Sequence, residues 1–125
     1  MDFAGKRILI AEDELALAET IKDMFLFFEN FSRSKISILQ TPEQTVQFLL
    51  REQPDITILD LGLGQGLSGL EILKTVKGRI PATCHIYVYS GSYELKDECL
   101  AAGVMGFYEK SVNFLNVIED IKKLA

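Results

Sequence analysis

Five short runs rich in β-branched and aromatic residues recur along the chain, each followed by a segment with helical periodicity. The runs are RILIA (7–11), KISIL (35–39), ITILD (56–60), HIYVYS (85–90) and VMGFYE (104–109). Nearly continuous apolar strands need cover on both faces, and a helix between two parallel strands supplies it through a right-handed crossover. The alternation therefore predicts an α/β domain with a doubly wound, five-stranded parallel sheet. No linker, repeat or low-complexity stretch interrupts it, so one domain over 1–125 accounts for the sequence. With 48% hydrophobic residues among 125, such a domain buries roughly two-thirds of its unfolded surface.

Helix boundaries are legible between the runs. Glu14 to Phe28 carries Leu17, Ile21, Met24, Phe25 and Phe28 at the three- and four-residue steps of one helical face. A second helix opens at TPEQ, where Thr41 caps, Pro42 suits the first position and Gln44 can reach back; Val46, Leu49 and Leu50 form its apolar face. The third starts at Ser68, which makes a capping box with Glu71 ahead of Ile72, Leu73 and Val76. The fourth is expected from about Ser92 to Ala102, stopping where Gly103 can turn left-handed. The fifth runs from about Asn113 to Leu124, with Leu115, Val117, Ile118, Ile121 and Leu124 as its buried stripe. Leu26, Phe27 and Phe31 exceed the first helix's stripe; they read as extra packing at the helix end or as a patch for a partner.

Composition narrows the function. Charged residues break every hydrophobic stretch before the roughly 20 residues that span a bilayer, so no membrane segment is expected. A net charge of −5, with 13 Lys and Arg that never form a run, argues against direct nucleic-acid binding. Cys84 and Cys99 lack metal-ligand spacing and no leader pattern precedes Lys6, which points to a reduced, cytoplasmic setting. His85 has no partner histidine and reads as structural.

In an open parallel sheet, ligands bind at the carboxyl ends of the strands. Glu12 and Asp13 end the first strand, Asp60 the third, Ser90 and Gly91 the fourth, and Lys110 the fifth. Each alone has a bland explanation: Asp13 as a helix cap, Lys110 as a solvated charge, Ser90 as a chance strand end. Together they gather three carboxylates, a hydroxyl and an ammonium on one rim. There Asp13 and Asp60 repel unless something positive sits between them. Mg2+, which prefers oxygen ligands, suits that inventory.

The ordered motifs AEDE (Glu12, Asp13), ILDLGL (Asp60), YSG (Ser90, Gly91) and GFYEK (Phe107, Lys110) resemble those of the receiver domain of two-component response regulators, a likeness that extends over residues 7–124. The resemblance implies a flavodoxin-like (βα)5 fold and a phosphoacceptor switch rather than an enzyme. Asp60 would take a phosphoryl group from the phosphohistidine of a histidine kinase or histidine phosphotransfer protein. The altered conformation would then control a downstream effector or output domain. The resemblance also implies Mg2+ held by Asp13, Asp60 and the Gly62 carbonyl, with Glu12 acting through water. Lys110 and Ser90 would meet phosphoryl oxygens, and Gly91 beside them would leave room for water to reach the acyl phosphate. Ser90 and Phe107 would form the switch, the aromatic turning inward as the hydroxyl moves; an aromatic on a strand is also simply good packing. A homodimer through the fourth and fifth helices is an open option.

The chain departs from the family pattern in places. Gly64 stands where the family usually has proline, and one extra residue precedes Gly69, which predicts a freer loop. Ser111 replaces the usual proline, and a cis bond before serine costs ~2.5–4 kcal/mol, so a trans bond is expected there. Ser90 and Gly91 replace the commoner threonine and alanine.

Three rival readings remain. GQGLSG (64–69) is formally the G-x-G-x-x-G dinucleotide fingerprint of a nucleotide-binding Rossmann-like domain. It follows the third strand, lacks an acidic residue about 20 positions on, and would face the pyrophosphate with Asp60. A metal-dependent phosphohydrolase would need an aspartate two residues past Asp60, where Gly62 stands. A receiver-like protein-interaction module acting without phosphorylation is opposed by the intact Asp13, Asp60, Ser90 and Lys110.

Overall fold

The computed structural model describes residues 5–64, 66 and 68–124. Strands and helices alternate: β1 Arg7–Ala11, α1 Leu15–Phe27, β2 Lys35–Leu39, α2 Pro42–Glu52, β3 Ile56–Leu59, α3 Gly69–Val76, β4 His85–Ser90, α4 Lys96–Ala101, β5 Gly106–Glu109 and α5 Phe114–Leu124. A 3-10 turn, Glu29–Phe31, links α1 to β2. The sheet is parallel throughout, in the order β2-β1-β3-β4-β5. The doubly wound sheet predicted from the alternation is therefore the one observed. Among the described residues, no helix is long and apolar enough to cross a membrane.

The period-two geometry of strands sends alternate residues to opposite faces, and each face has its own core. Ile8, Ile10, Ile56, Ile58, Tyr87 and Tyr89 point toward α1 and α5, where they meet Ile21, Phe25, Phe114, Val117, Ile118 and Ile121. Leu9, Ala11, Leu59, Ile86, Val88 and Phe107 point the other way, toward Leu49, Ile72, Leu73, Val76 and Cys99 of α2, α3 and α4.

Local signals explain the helix ends. Ser68 and Glu71 form the reciprocal capping box, with bonds of 3.2 and 3.1 Å, so Ser68 is the cap and Gly69 the first helical residue. A Cβ at Gly69 would lie 2.5 Å from the Leu61 Cα, so the loop can close on α3 only over a glycine. Thr41 accepts from the Gln44 N–H at 3.3 Å ahead of Pro42, as the sequence suggests. At the end of α4, Gly103 has φ +96°. The Val104 N–H reaches the Cys99 carbonyl and the Gly103 N–H that of Leu100, a Schellman arrangement.

Several expectations need correction. Residues 92–95 are not helical: the Tyr93 ring leaves the helical path to stack on Phe107, and α4 is shorter than its periodicity suggests. On α5 the buried stripe begins at Phe114, while Leu115 is only half-buried; the helix phase is set by the Phe114 ring entering the core between Phe25 and Tyr89. The side chain of Leu124 lies outside the described residues. Of the two readings open for Phe31, packing holds: it is wholly buried and lies edge-on against Phe25 at 5.1 Å. Leu26 and Phe27 remain at the surface, Phe27 at 82% exposure. The expected looseness of the loop falls partly on Gln65 and Leu67, outside the described residues; Gly64 and Gly66 adopt φ of +82° and +110°, which side chains rarely tolerate.

One buried group is left wanting. The Tyr87 hydroxyl has no hydrogen-bond partner among the described residues, and burial pushes its pKa up to about 12. An unpaired buried hydroxyl carries its desolvation penalty without compensation. Tyr87→Phe should therefore leave stability unchanged or raise it by up to ~1 kcal/mol, read from the urea midpoint at constant m value. A loss of that size would mean that the hydroxyl is paired in solution.

Candidate functional site

The strand order reverses between β1 and β3, which opens a crevice at their carboxyl ends. Register brings the acids together there. Ala11 pairs with Leu59, so Glu12 and Asp60 are the next residues across the two strands, and the Asp60 N–H donates to the Ala11 carbonyl at 3.0 Å. Carboxylate oxygens of Glu12, Asp13 and Asp60 all lie within 4.8 Å of one another. Glu12 and Asp60 are buried and Asp13 is exposed, so the cluster opens to solvent through Asp13.

Lys110 crosses to this cluster from the end of β5. Its Nζ stands 2.7 Å from Glu12 Oε1 and 3.2 Å from Asp60 Oδ2. The backbone delivers it there: Ser90 pairs with Glu109 across β4 and β5, and the Lys110 N–H donates to the Ser90 carbonyl at 2.7 Å. Ser90 is buried at the β4 terminus and Gly91 follows it, exposed. Gly62 donates its N–H to Asp60 Oδ1 at 3.1 Å and so fixes the carboxylate's orientation. The structure thus brings Glu12, Asp13, Asp60, Gly62 and Lys110 into one constellation, with Ser90 and Gly91 at the adjoining strand end. No cis peptide bond occurs among the described residues, and the bond before Ser111 is trans as expected.

Electrostatics follow from this crowding. Burial pushes Glu12 up to about 7; the charge of Asp60 and the hydrogen bond with Asp13 add to the rise, while Lys110 and the Glu14 N–H oppose it. Burial by itself would lower the Lys110 ammonium, but its bonds to Glu12 and Asp60 outweigh that and hold it above its usual value. Three acids against one ammonium leave net negative charge in a cleft. Hard oxygen donors at this separation, one of them open to solvent, fit a divalent cation such as Mg2+.

Phe107 lies on the other side of the sheet rim. Its ring is buried, stacked on Tyr93 with centroids 6.1 Å apart and planes at 25°. The ring thus occupies the inward position, within the core shared with α4.

Two contributors escaped the sequence reading. Gln40, the residue after β2, donates its side-chain amide to the Asp13 carbonyl at 3.0 Å and steadies that loop. Its place at the same rim as the acids was a usable signal. The Tyr89 hydroxyl lies 3.2 Å from the Lys110 carbonyl and 2.8 Å from that of Val112. Nothing local in the sequence announces it, because a tyrosine in a strand reads as packing.

A family model described as the response regulator receiver domain matches residues 8–122. Transcriptional regulatory protein ComA of Bacillus subtilis (strain 168) is 32% identical over 112 residues, covering 85% of this chain and 50% of that protein. The chain spans about half the length of the curated relatives it matches. Among solved structures, the CheY-like response regulator receiver domain protein of Methanospirillum hungatei JF-1 matches with TM-score 0.82 and 26% identity, over 97% of this chain and 94% of that one. The phosphorylated cyanobacterial phytochrome response regulator RcpA shares the fold, with TM-score 0.74 and 22% identity over 97% and 91% of the two chains.

Proposed function

Because the chain belongs to the response regulator receiver domain family of two-component signalling, we propose that Asp60 is its phosphoacceptor and that the domain works as a switch, not as an enzyme. The observation that carries the reading is the convergence of three carboxylates with one ammonium lying between Glu12 and Asp60. A carboxylate oxygen of Asp60 attacks the phosphorus of a phosphohistidine on a histidine kinase or histidine phosphotransfer protein. An O–P bond forms, the P–N bond breaks, and the imidazole leaves with the electron pair and gains a proton. The protein's share is alignment and charge neutralisation. Gly62 N–H orients the carboxylate, Lys110 meets a phosphoryl oxygen, and Ser90 supplies a hydroxyl to another.

Asp13, Asp60 and the Gly62 carbonyl would hold Mg2+, with Glu12 contributing through water. When bound, the cation offsets the charge that phosphoryl oxygens bring into an acidic cleft. Phosphorylation is relayed through Ser90 and Phe107. Tyr93, stacked on Phe107 and half exposed, carries the change to the surface. A cytoplasmic setting and an effector or output domain as recipient fit this role, as does the name of the ComA relative, a transcriptional regulatory protein.

The test is to incubate the protein with Mg2+ and a small acyl phosphate and weigh it intact. A gain of one phosphoryl mass supports the reading; its absence favours an interaction module that acts without phosphorylation.

Cation binding should also depend on pH. With its pKa raised to about 7, Glu12 holds a proton below that pH and contributes stability to the metal-free protein that is fully present below 4.5 and is lost as pH rises through 7. Cation binding needs the charged form. Mg2+ affinity should therefore be about tenfold weaker at pH 6 than at pH 8, with a proton released on binding at the lower pH. Calorimetric titrations in buffers of different ionisation heat check this, and a flat profile would remove Glu12 from the site's cation chemistry.

A further inference from the structure

The turn that carries Lys110 is held from two sides. On one side its own N–H binds the Ser90 carbonyl at 2.7 Å, and the Val112 N–H binds that of Glu109 at 3.0 Å. On the other, the Tyr89 hydroxyl faces the Val112 carbonyl at 2.8 Å and the Lys110 carbonyl at 3.2 Å. One hydroxyl carries one hydrogen, so it donates chiefly to Val112 and shares the bond with Lys110. The ring has little freedom to swing. It is 6% exposed and meets the edge of Phe114, the first residue of α5, at 5.0 Å and 72°.

We propose that Tyr89 is a positioning residue for Lys110, its hydroxyl clamping the Lys110–Val112 turn so that the ammonium stays between Glu12 and Asp60. The inference rests on the phosphoacceptor reading of the site. A hydroxyl is not what packing requires at this place. The ring lies in an apolar core with Phe25, Phe114 and Ile118, where burying a hydroxyl is unfavourable unless it is bonded. Tyr87, two residues earlier on the same strand and the same face, is the internal contrast: equally an aromatic with a hydroxyl, but with no partner for it among the described residues. Burial also keeps the Tyr89 phenol protonated against the opposing pull of Lys110, so it remains a donor.

The experiment compares wild type, Tyr89→Phe and Tyr87→Phe, each also in a Lys110→Ala background, in two measurements. One is the rate of phosphoryl uptake from a small acyl phosphate with Mg2+. The other is amide hydrogen exchange at Lys110 and Val112 without phosphodonor or cation. Tyr89→Phe keeps the ring on Phe114. Uptake should slow by about tenfold, less than the ~10²-fold that a 1 Å misplacement can cost, and exchange at both amides should quicken. Tyr87→Phe should change neither. In the Lys110→Ala background, Tyr89→Phe should bring no further loss of rate, because the residue it positions is gone.

Wild-type rate and exchange in Tyr89→Phe would overturn the proposal. So would an equal fold loss with and without Lys110, which is what a merely structural role gives. If wild type itself takes up no phosphoryl group, the phosphoacceptor reading fails, and the exchange measurement still decides whether the hydroxyl holds the turn. Should Tyr89→Phe fail to fold, Tyr89→Met fills the site without a hydroxyl and is subject to the same criteria.

Discussion

Asp60→Asn should abolish phosphoryl uptake while leaving the domain folded. Asparagine has nearly the same shape, and its carbonyl oxygen can still accept the Gly62 N–H that lies 3.1 Å from Asp60 Oδ1. What disappears is the charged, nucleophilic oxygen, without which no acyl phosphate forms. Lys110 loses its 3.2 Å contact but keeps Glu12 at 2.7 Å, so the ammonium is not stranded. The change also removes one of three crowded negative charges. The variant should then be at least as stable as wild type in the absence of divalent cations, in line with the stability that functional sites commonly sacrifice. Intact mass after incubation with Mg2+ and acyl phosphate reads the first effect, and a urea titration reads the second. A phosphoryl mass that persists in the variant would mean that another residue is the acceptor.

The largest effect on stability should come from Phe25→Ala. Phe25 is fully buried in the core between the sheet and the α1/α5 layer. Its ring meets Phe31 at 5.1 Å and Phe114 at 5.6 Å, both edge to face, and Phe114 in turn meets Tyr89 at 5.0 Å. Removing the ring loses its burial and leaves a cavity that its two aromatic neighbours cannot fill without leaving their own contacts. The expected cost is ~3–5 kcal/mol, against a total stability of about 5–15 kcal/mol for a domain of this kind. A urea midpoint shift worth under ~1.5 kcal/mol would show that the site collapses more readily than the geometry indicates. Because Phe114 braces Tyr89, the same substitution should also loosen the turn that carries Lys110.

Much of this molecule is legible in its sequence because the signals are local. The Ser68–Glu71 box and the Gly103 stop depend on groups within a few residues of each other, and both are found where the sequence puts them. The site acids are legible for a different reason: each ends a strand, and a parallel sheet sends all its carboxyl ends to one rim. Of the two readings open for Phe31, packing is the one observed, against Phe25 across a turn. Where the reading failed, a contact more distant in sequence decided. The segment 92–95 looks helical until Tyr93 finds Phe107.

The sequence by itself determined the alternation of strand and helix, the parallel sheet that follows from it, and the identity of the acids, hydroxyl and lysine at the rim. It could do so because period, capping and strand-end identity are properties of short segments. Only the tertiary structure decided that Lys110 reaches Glu12 more closely than Asp60, that the Phe107 ring is buried, and that of two tyrosines on one strand only Tyr89 finds a partner for its hydroxyl among the described residues. Those outcomes turn on contacts between residues far apart in the chain. Packing of the whole core sets such distances, and no local pattern encodes them.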